Sequence, residues 1–195
     1  MKKIAIIPAR SGSKGLKDKN IIKVCGKPLM SYSIEAAINS KCFDKVIVTT
    51  DSEKYAEIAK KYGAEVILRG ERLSNDNATS YMVIEDVIHK QSNDFDFLVS
   101  VKEAENTADL IKPIDSDESL KYFDRDFSNY RRQSFKEYSP NGAIFIGKKE
   151  QYLQQKHFFG ARSIAYIMNQ IDSIDIDTEL DYELACICMK KRKNI

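Results

Sequence analysis

No apolar run in this 195-residue chain approaches the roughly twenty residues that a membrane span requires. The opening Met1-Lys2-Lys3 is followed by only four uncharged residues, Ile4-Ala5-Ile6-Ile7, before Pro8, so a secretory leader is not expected. Cysteine is scarce. Cys25, Cys42, Cys186 and Cys188, in a chain without an export signal, are expected as reduced thiols of a cytoplasmic protein. Cys186 and Cys188 form a C-x-C with no second ligand pair nearby, which argues against structural zinc. The two histidines, His89 and His157, have no partner spacing, so no Ser-His-Asp or Cys-His arrangement can be argued; surface or structural roles are expected of both. An excess of one charge is missing too. Charged residues make up 31% but leave a formal net charge of +2, which disfavours nucleic-acid binding by backbone electrostatics. A local basic cluster aimed at a small anion remains open. Repeats and low-complexity linkers are absent.

What is there fits one domain spanning residues 1–195, with 43% apolar residues and a substantial core. Ile4-Ala5-Ile6-Ile7 reads as a strand buried on both faces. A polar, glycine-punctuated loop runs from Pro8 to Lys19, and a helix follows Pro28 with an apolar stripe of Leu29, Ile34, Ala37 and Ile38. Lys45–Thr50 reads as a second strand ending at Asp51-Ser52, a helix N-cap pair. A helix from Glu53 to Tyr62 is closed by Gly63, and Glu65–Leu68 is a third strand. Thr79 to His89 reads as a third helix, leading to a strand over Phe97–Val101. This alternation predicts an α/β fold, a three-layer mostly parallel sheet with helices on both faces. Ligands in such sheets bind beyond the carboxyl ends of the strands. Residues 103–140 are irregular, charged and aromatic, and read as an arm or a substrate wall. Strands return at Ala143–Ile146 and Ser163–Met168, and a helix from Glu179 to Lys190 precedes a basic tail.

Three constellations carry chemistry. In the first loop, small residues at Ser11, Gly12, Ser13 and Gly15 let backbone N–H groups converge on phosphate oxygens. Arg10, Lys14 and Lys19 add positive charge around that concavity. The loop matches neither the Walker A pattern nor G-x-G-x-x-G. Its plain alternative is a flexible surface loop with solvated lysines. In Asp172-Ser173-Ile174-Asp175-Ile176-Asp177-Thr178, strand periodicity puts Asp175 and Asp177 on one face, which suits an Mg²⁺ ion that keeps its waters and takes phosphate oxygens. The alternative is a loop capping the next helix through Asp177 or Thr178, and both readings can hold together. In the third, Arg131, Gln133, Tyr138 and Asn141 suit a sugar-acid carboxylate and its hydroxyls. Against that, Asn141-Gly142 forms a turn before a strand and the arginines are solvated.

In this order the motifs resemble the acylneuraminate cytidylyltransferase (CMP-N-acetylneuraminic acid synthetase) family. Ile6-Ile7-Pro8-Ala9-Arg10-Ser11-Gly12-Ser13-Lys14-Gly15 through Lys19-Asn20 looks like that family's CTP-binding loop. Ser40–Asp44 into Val46–Asp51 is similar to its second strand, and Leu73–Ser80, with Asp76, to its D-x-A-T/S-S segment. Asp172–Asp181 is the most specific match after the loop. KDO cytidylyltransferases have a different opening loop. The resemblance covers nearly the whole chain, with one departure. The family's Q-P-T-S-P-L-R motif is missing where His89–Asp96 runs directly into Phe97–Val101, together with a few tens of residues around it.

The resemblance implies transfer of CMP from CTP to a nonulosonic acid such as N-acetylneuraminate or legionaminate, with pyrophosphate leaving. It implies Arg10, Lys19, Asp175 and Asp177 in catalysis, and Asp175 and Asp177 as ligands of Mg²⁺. Nucleotide contacts would come from Ala9, Arg10, Ser11, Gly12, Ser13, Lys14, Gly15, Lys19, Asn20 and Asp76, and sugar contacts from Arg131, Gln133, Tyr138 and Asn141. A homodimer follows, with the aromatic segment reaching across. The missing stretch leaves a second possibility, a degenerate homologue that binds CTP or dimerises without turnover.

Overall fold

The computed structural model describes residues 3–13, 15–70, 98–104, 116, 137–160 and 162–193. The expected third helix at Thr79–His89 lies outside them, as does nearly all of the expected arm.

The first half is built around a parallel sheet. Strand β1 (Ile4–Pro8) pairs with β4 (Lys45–Thr50), which pairs with β5 (Glu65–Leu68), in the order β1-β4-β5. Strand β4 lies in the middle and is buried from Val46 to Thr50. Its apolar run has no polar alternation because both its faces are covered. On one face, Val46 and Val48 with Ala5 and Ile7 pack on helix α1 (Leu29–Asn39) through Met30 and Ile34, and on helix α2 (Glu53–Lys61) through Tyr55 and Ala59. On the other face, Ile6 meets Tyr152 of helix α3 (Lys149–Gln155) beside Leu153 and Phe158. The sheet therefore carries helices on both faces, as expected. Each fully buried Ile, Val or Leu of this kind stabilises by about 1.5–3 kcal/mol.

Local signals set the ends of α2. The Ser52 hydroxyl accepts the Tyr55 N–H, Glu53 sits in the first turn, and Lys60 and Lys61 sit in the last. Gly63, at φ 90°, closes the helix: its N–H bonds to Lys60 O while that of Ala64 bonds to Ala59 O, a Schellman pair. Between β1 and α1 lies a feature the sequence reading passed over. Strands β2 (Lys23–Val24) and β3 (Lys27–Pro28) form an antiparallel ribbon turning at Cys25 and Gly26, with φ of 47° and 88°.

The second half has its own sheet, in the order β7-β6-β8. Strand β6 (Leu98–Glu103) runs antiparallel to β7 (Tyr138–Ile146) and parallel to β8 (Ile164–Met168). The pairing of β6 with β7 shifts register between Val99 and Val101, and the Ser100 hydroxyl holds that irregularity by accepting the Ile144 N–H at 2.7 Å. Strand β7 starts five residues before the expected Ala143. Helix α4 (Glu179–Lys193) follows, and its Tyr182 hydroxyl donates to Lys23 O of the ribbon. All four cysteines are free thiols. Among the described residues, no helix is long and apolar enough to cross a membrane.

Candidate functional site at the carboxyl ends of the parallel strands

The loop after β1 leaves the sheet where β4 also ends, and two anchors fix its start. Ala9 is fully buried and its N–H bonds to Thr49 O at 2.9 Å. Asp51, the first residue after β4, accepts both the Ser11 N–H (2.9 Å) and the Ser11 hydroxyl (3.1 Å). The Ser13 N–H then bonds to Ser11 O at 3.1 Å. Three N–H groups of the expected phosphate loop are engaged in this way. The N–H groups of Ala9, Ser11 and Ser13 bond within the protein, because a loop leaving a sheet must satisfy its own donors. No atom of the described residues lies within 4 Å of where a Cβ on Gly12 would stand. Lys14 lies outside the described residues.

The far arm of the loop turns back through Asp18 into a 3₁₀ turn, Lys19–Ile21. There the Asn20 side chain donates to Arg10 O at 3.0 Å, drawing the arms together. Lys19 reaches the acidic segment: its Nζ lies 2.7 Å from Asp177 Oδ1 and 3.9 Å from Asp175 Oδ1. A Cβ on Gly15 would stand 2.3 Å from the Asp177 carbonyl oxygen, so loop and segment touch backbone to backbone.

The acidic segment is not a strand. A 3₁₀ turn at Ile171–Ser173 leads into extended backbone without a ladder partner among the described residues. The expected alternation of faces survives, with Ile176 buried and Asp175 and Asp177 exposed. The capping alternative holds as well. The Thr178 hydroxyl accepts the Asp181 N–H, while Asp181 Oδ2 accepts the N–H groups of Asp177 and Thr178 and the Thr178 hydroxyl. These bonds pull the Asp181 carboxyl below its ordinary range, the Thr178 side-chain bond most, then the backbone bonds of Thr178 and Asp177.

Two expected sugar contacts, Arg131 and Gln133, lie outside the described residues, as does Asp76. Tyr138 is exposed at the start of β7. Asn141 is bonded within the protein. Its Oδ1 accepts from the Ser100 hydroxyl (2.6 Å) and the Ala143 N–H (3.2 Å), and its Nδ2 donates to Ser173 Oγ (2.9 Å) and Met168 Sδ (3.3 Å). Through Ser173, the amide braces the Ile171–Ser173 turn. His157 has a structural role, its Nδ1 accepting the Phe159 N–H.

One group was missed by the sequence reading. Arg69 follows β5 at the same edge of the sheet and is 8% exposed, with a buried Nε that has no partner among the described residues. Burial lowers its pKa from the ordinary arginine value, the charge of Arg10 lowers it further, and Asp51 opposes both. A lone arginine directly after the apolar run Val66-Ile67-Leu68 was the available signal. A buried guanidinium short of one acceptor is a site for an anion or a carbonyl oxygen.

Asp175 and Asp177 both come within reach of one ammonium nitrogen, so their carboxylates converge on a point a cation can occupy. Among the described residues, no group of three or more His, Cys, Asp or Glu gathers to hold an ion. Two oxygen donors fit Mg²⁺, which completes its shell with waters and phosphate oxygens.

Comparisons with known proteins agree with this geometry. A family model described as "Cytidylyltransferase" matches residues 4–95. The N-acylneuraminate cytidylyltransferase of Escherichia coli is 43% identical over 221 residues, covering 98% of this chain and 52% of that protein. The pseudaminic acid cytidylyltransferase of Campylobacter jejuni is 32% identical over 225 residues, covering 97% of each. The chain thus spans about half the length of the N-acylneuraminate relatives it matches. Both alignments run longer than the 195 residues of this chain, which skips a stretch the relatives contain. In fold, a CMP:2-keto-3-deoxy-manno-octonic acid synthetase complexed with CTP superposes with a TM-score of 0.69, at 16% identity, over 98% of this chain and 100% of that one.

Proposed function

Because this chain belongs to the cytidylyltransferase family, we propose that it activates a nonulosonic acid with CTP, giving the CMP-sugar and pyrophosphate. The observation that carries the reading is the meeting of the basic, small-residue loop with Asp175 and Asp177 at the carboxyl ends of the parallel strands. A triphosphate needs cations and a divalent-ion site in one place, and the approach of Lys19 to Asp175 and Asp177 supports that reading.

In this reading the anomeric hydroxyl of the sugar acid attacks the α-phosphorus in line. The new O–P bond forms as the bond to the bridging oxygen breaks, the hydroxyl proton passes to solvent, and pyrophosphate leaves. Transfer of this kind rests on positioning and charge neutralisation. Arg10 and Lys19 stabilise charge on the α-phosphate and leaving group, and the loop around Gly12 and Gly15 leaves room for the phosphates. Arg69, buried beside Asp51 and Arg10, takes an oxygen of the nucleotide. Asp175 and Asp177 would hold Mg²⁺, which would neutralise phosphate charge and acidify the attacking hydroxyl. Tyr138, exposed at the start of β7, would contact the sugar acid.

The proposal includes a cytoplasmic homodimer. Four free thiols suit a reducing compartment. Exposed Ile164, Tyr166 and Ile167 on β8 supply apolar surface for a second copy. Light scattering on the purified protein tests the dimer.

The deciding assay is pyrophosphate release with CTP and Mg²⁺ against N-acetylneuraminate, pseudaminate and N,N′-diacetyllegionaminate. Release that depends on one of these acids supports the reading and identifies the substrate. One observation favours a second reading, in which CTP binds without turnover: the stretch this chain skips relative to its relatives. CTP binding by calorimetry, with no release for any acid, selects it.

A further inference from the structure

The corner of the loop has an anchor on the side away from the acidic segment. Asp18 stands at φ 55° and ψ 28°, where the loop bends into the Lys19–Ile21 turn. A non-glycine residue in this left-handed region costs on the order of 1 kcal/mol and persists only where its surroundings hold it. Two bonds do so: Asp18 O accepts the Ile21 N–H at 2.9 Å, and Asp18 Oδ1 accepts the Tyr55 hydroxyl at 2.9 Å. Tyr55 belongs to the buried face of α2, with its ring in the core beneath β4 at 1% exposure. Its phenol is pushed up by burial first, then by the bond to Asp18 and the charges of Asp18 and Asp51, so it stays protonated and donates.

The two residues after this corner face the site. Lys19 reaches Asp177, and Asn20 holds Arg10 O. We infer that Tyr55, acting through Asp18, is a positioning residue that sets where Lys19 and Asn20 stand. Tyr55 is buried in the core, and its hydroxyl is bonded to that carboxylate. The link transmits the position of α2, which is packed against the sheet, to the cationic arm of the loop. This rests on the reaction proposed above. A displacement of about 1 Å in a group that must meet a transition state lowers turnover by roughly a hundredfold.

The test uses the full chain carrying Tyr55→Phe, Asp18→Ala, Asp18→Asn and the Tyr55→Phe/Asp18→Ala double change. Each is followed by sugar-dependent pyrophosphate release, CTP affinity by calorimetry and thermal midpoint. Tyr55→Phe keeps the ring in the core and removes only the donor; Asp18→Asn keeps an acceptor oxygen. Tyr55→Phe and Asp18→Ala are each expected to lower kcat by roughly tenfold to a hundredfold. The double variant should fall no further than the worse single one, and Asp18→Asn should recover most of the loss seen with Asp18→Ala. Full turnover in Tyr55→Phe, or losses that multiply in the double variant, overturns the inference. If Tyr55→Phe fails to fold, Asp18→Ala against Asp18→Asn decides alone, since equal rates in those two overturn it. If the unaltered protein releases no pyrophosphate, the reaction has failed. The same series read by CTP affinity then decides the link: a shared, non-additive loss supports it and unchanged affinity sinks it.

Discussion

Lys19 and Asp177 form a 2.7 Å ion pair across 158 residues of sequence, and the same ammonium lies 3.9 Å from Asp175. Both carboxylates are largely exposed, so the pair contributes only about 0–1 kcal/mol to folding. Its importance is positional, because it puts the loop's cation and the acidic pair at one point. Lys19→Met should therefore leave the thermal midpoint within a few degrees of the unaltered protein while kcat falls by roughly a hundredfold or more. Arg10→Ala should behave the same way, losing far more in turnover than in folding. An unchanged rate in either variant removes that residue from the phosphate site.

Changing Asp175 and Asp177 together to Asn should abolish the dependence of pyrophosphate release on Mg²⁺. The amide oxygens carry no charge to hold a hard cation beside Lys19. A magnesium titration of the double variant reads this directly. Saturable dependence that survives the change moves the ligands elsewhere.

Gly15→Ala places a methyl group where the Asp177 carbonyl stands, at 2.3 Å, a separation backbone does not tolerate. The loop and the acidic segment must part. CTP affinity and turnover should both fall by roughly tenfold or more, while Gly12→Ala, whose added methyl meets no atom of the described residues, should stay folded with an unchanged thermal midpoint. Calorimetry on the pair separates the two effects.

Arg69→Met keeps much of the side-chain volume and removes a buried charge whose Nε has no partner among the described residues. Stability should hold or rise, since an apolar replacement relieves a desolvation cost. CTP affinity should drop by roughly tenfold, the loss of one charge-assisted bond. Undiminished CTP binding dissociates Arg69 from the nucleotide.

Asp181 supplies the pH dependence. Its carboxyl is held below the ordinary range in the folded chain, so the unfolded chain binds a proton more readily. The stabilisation is present above the ordinary aspartate pKa of about 3.9 and is lost as pH falls through the lower folded value. Asp181→Asn should lower the midpoint at neutral pH and flatten its decline below about pH 4. Thermal melts across that range check the sign.

Much of this was readable in sequence where a single element carried the signal. Val46–Val48 announced a buried strand by lacking polar residues, and Ser52 and Gly63 marked the ends of α2 by their own capping chemistry. The loop was legible through its small residues and cations. Groups defined by distant partners were not. Asp51 looked like a helix cap and is also the acceptor that holds Ser11, 40 residues earlier. Asp18 and Tyr55 meet across 37 residues, and no periodicity relates them. The ribbon at Lys23–Pro28 escaped notice because its strands are two residues long and it turns on Cys25-Gly26 instead of Asn-Gly. The amide chemistry of Asn141 is visible in sequence, while its engagement with Ser100 and Ser173 is not.

The backbone contact between Gly15 and Asp177 also orders events in time. Strands β1, β4 and β5 and helices α1 and α2 come from the first 68 residues and can collapse on local contacts. The loop, by contrast, stays half a site until the chain has closed a ring of about 160 residues, an entropic cost that grows with the logarithm of its length. Closure of that ring belongs to the slow, non-local part of folding. Nucleotide binding would thus act as a clock, appearing only after the carboxyl-terminal segment has docked, later than the core signals report.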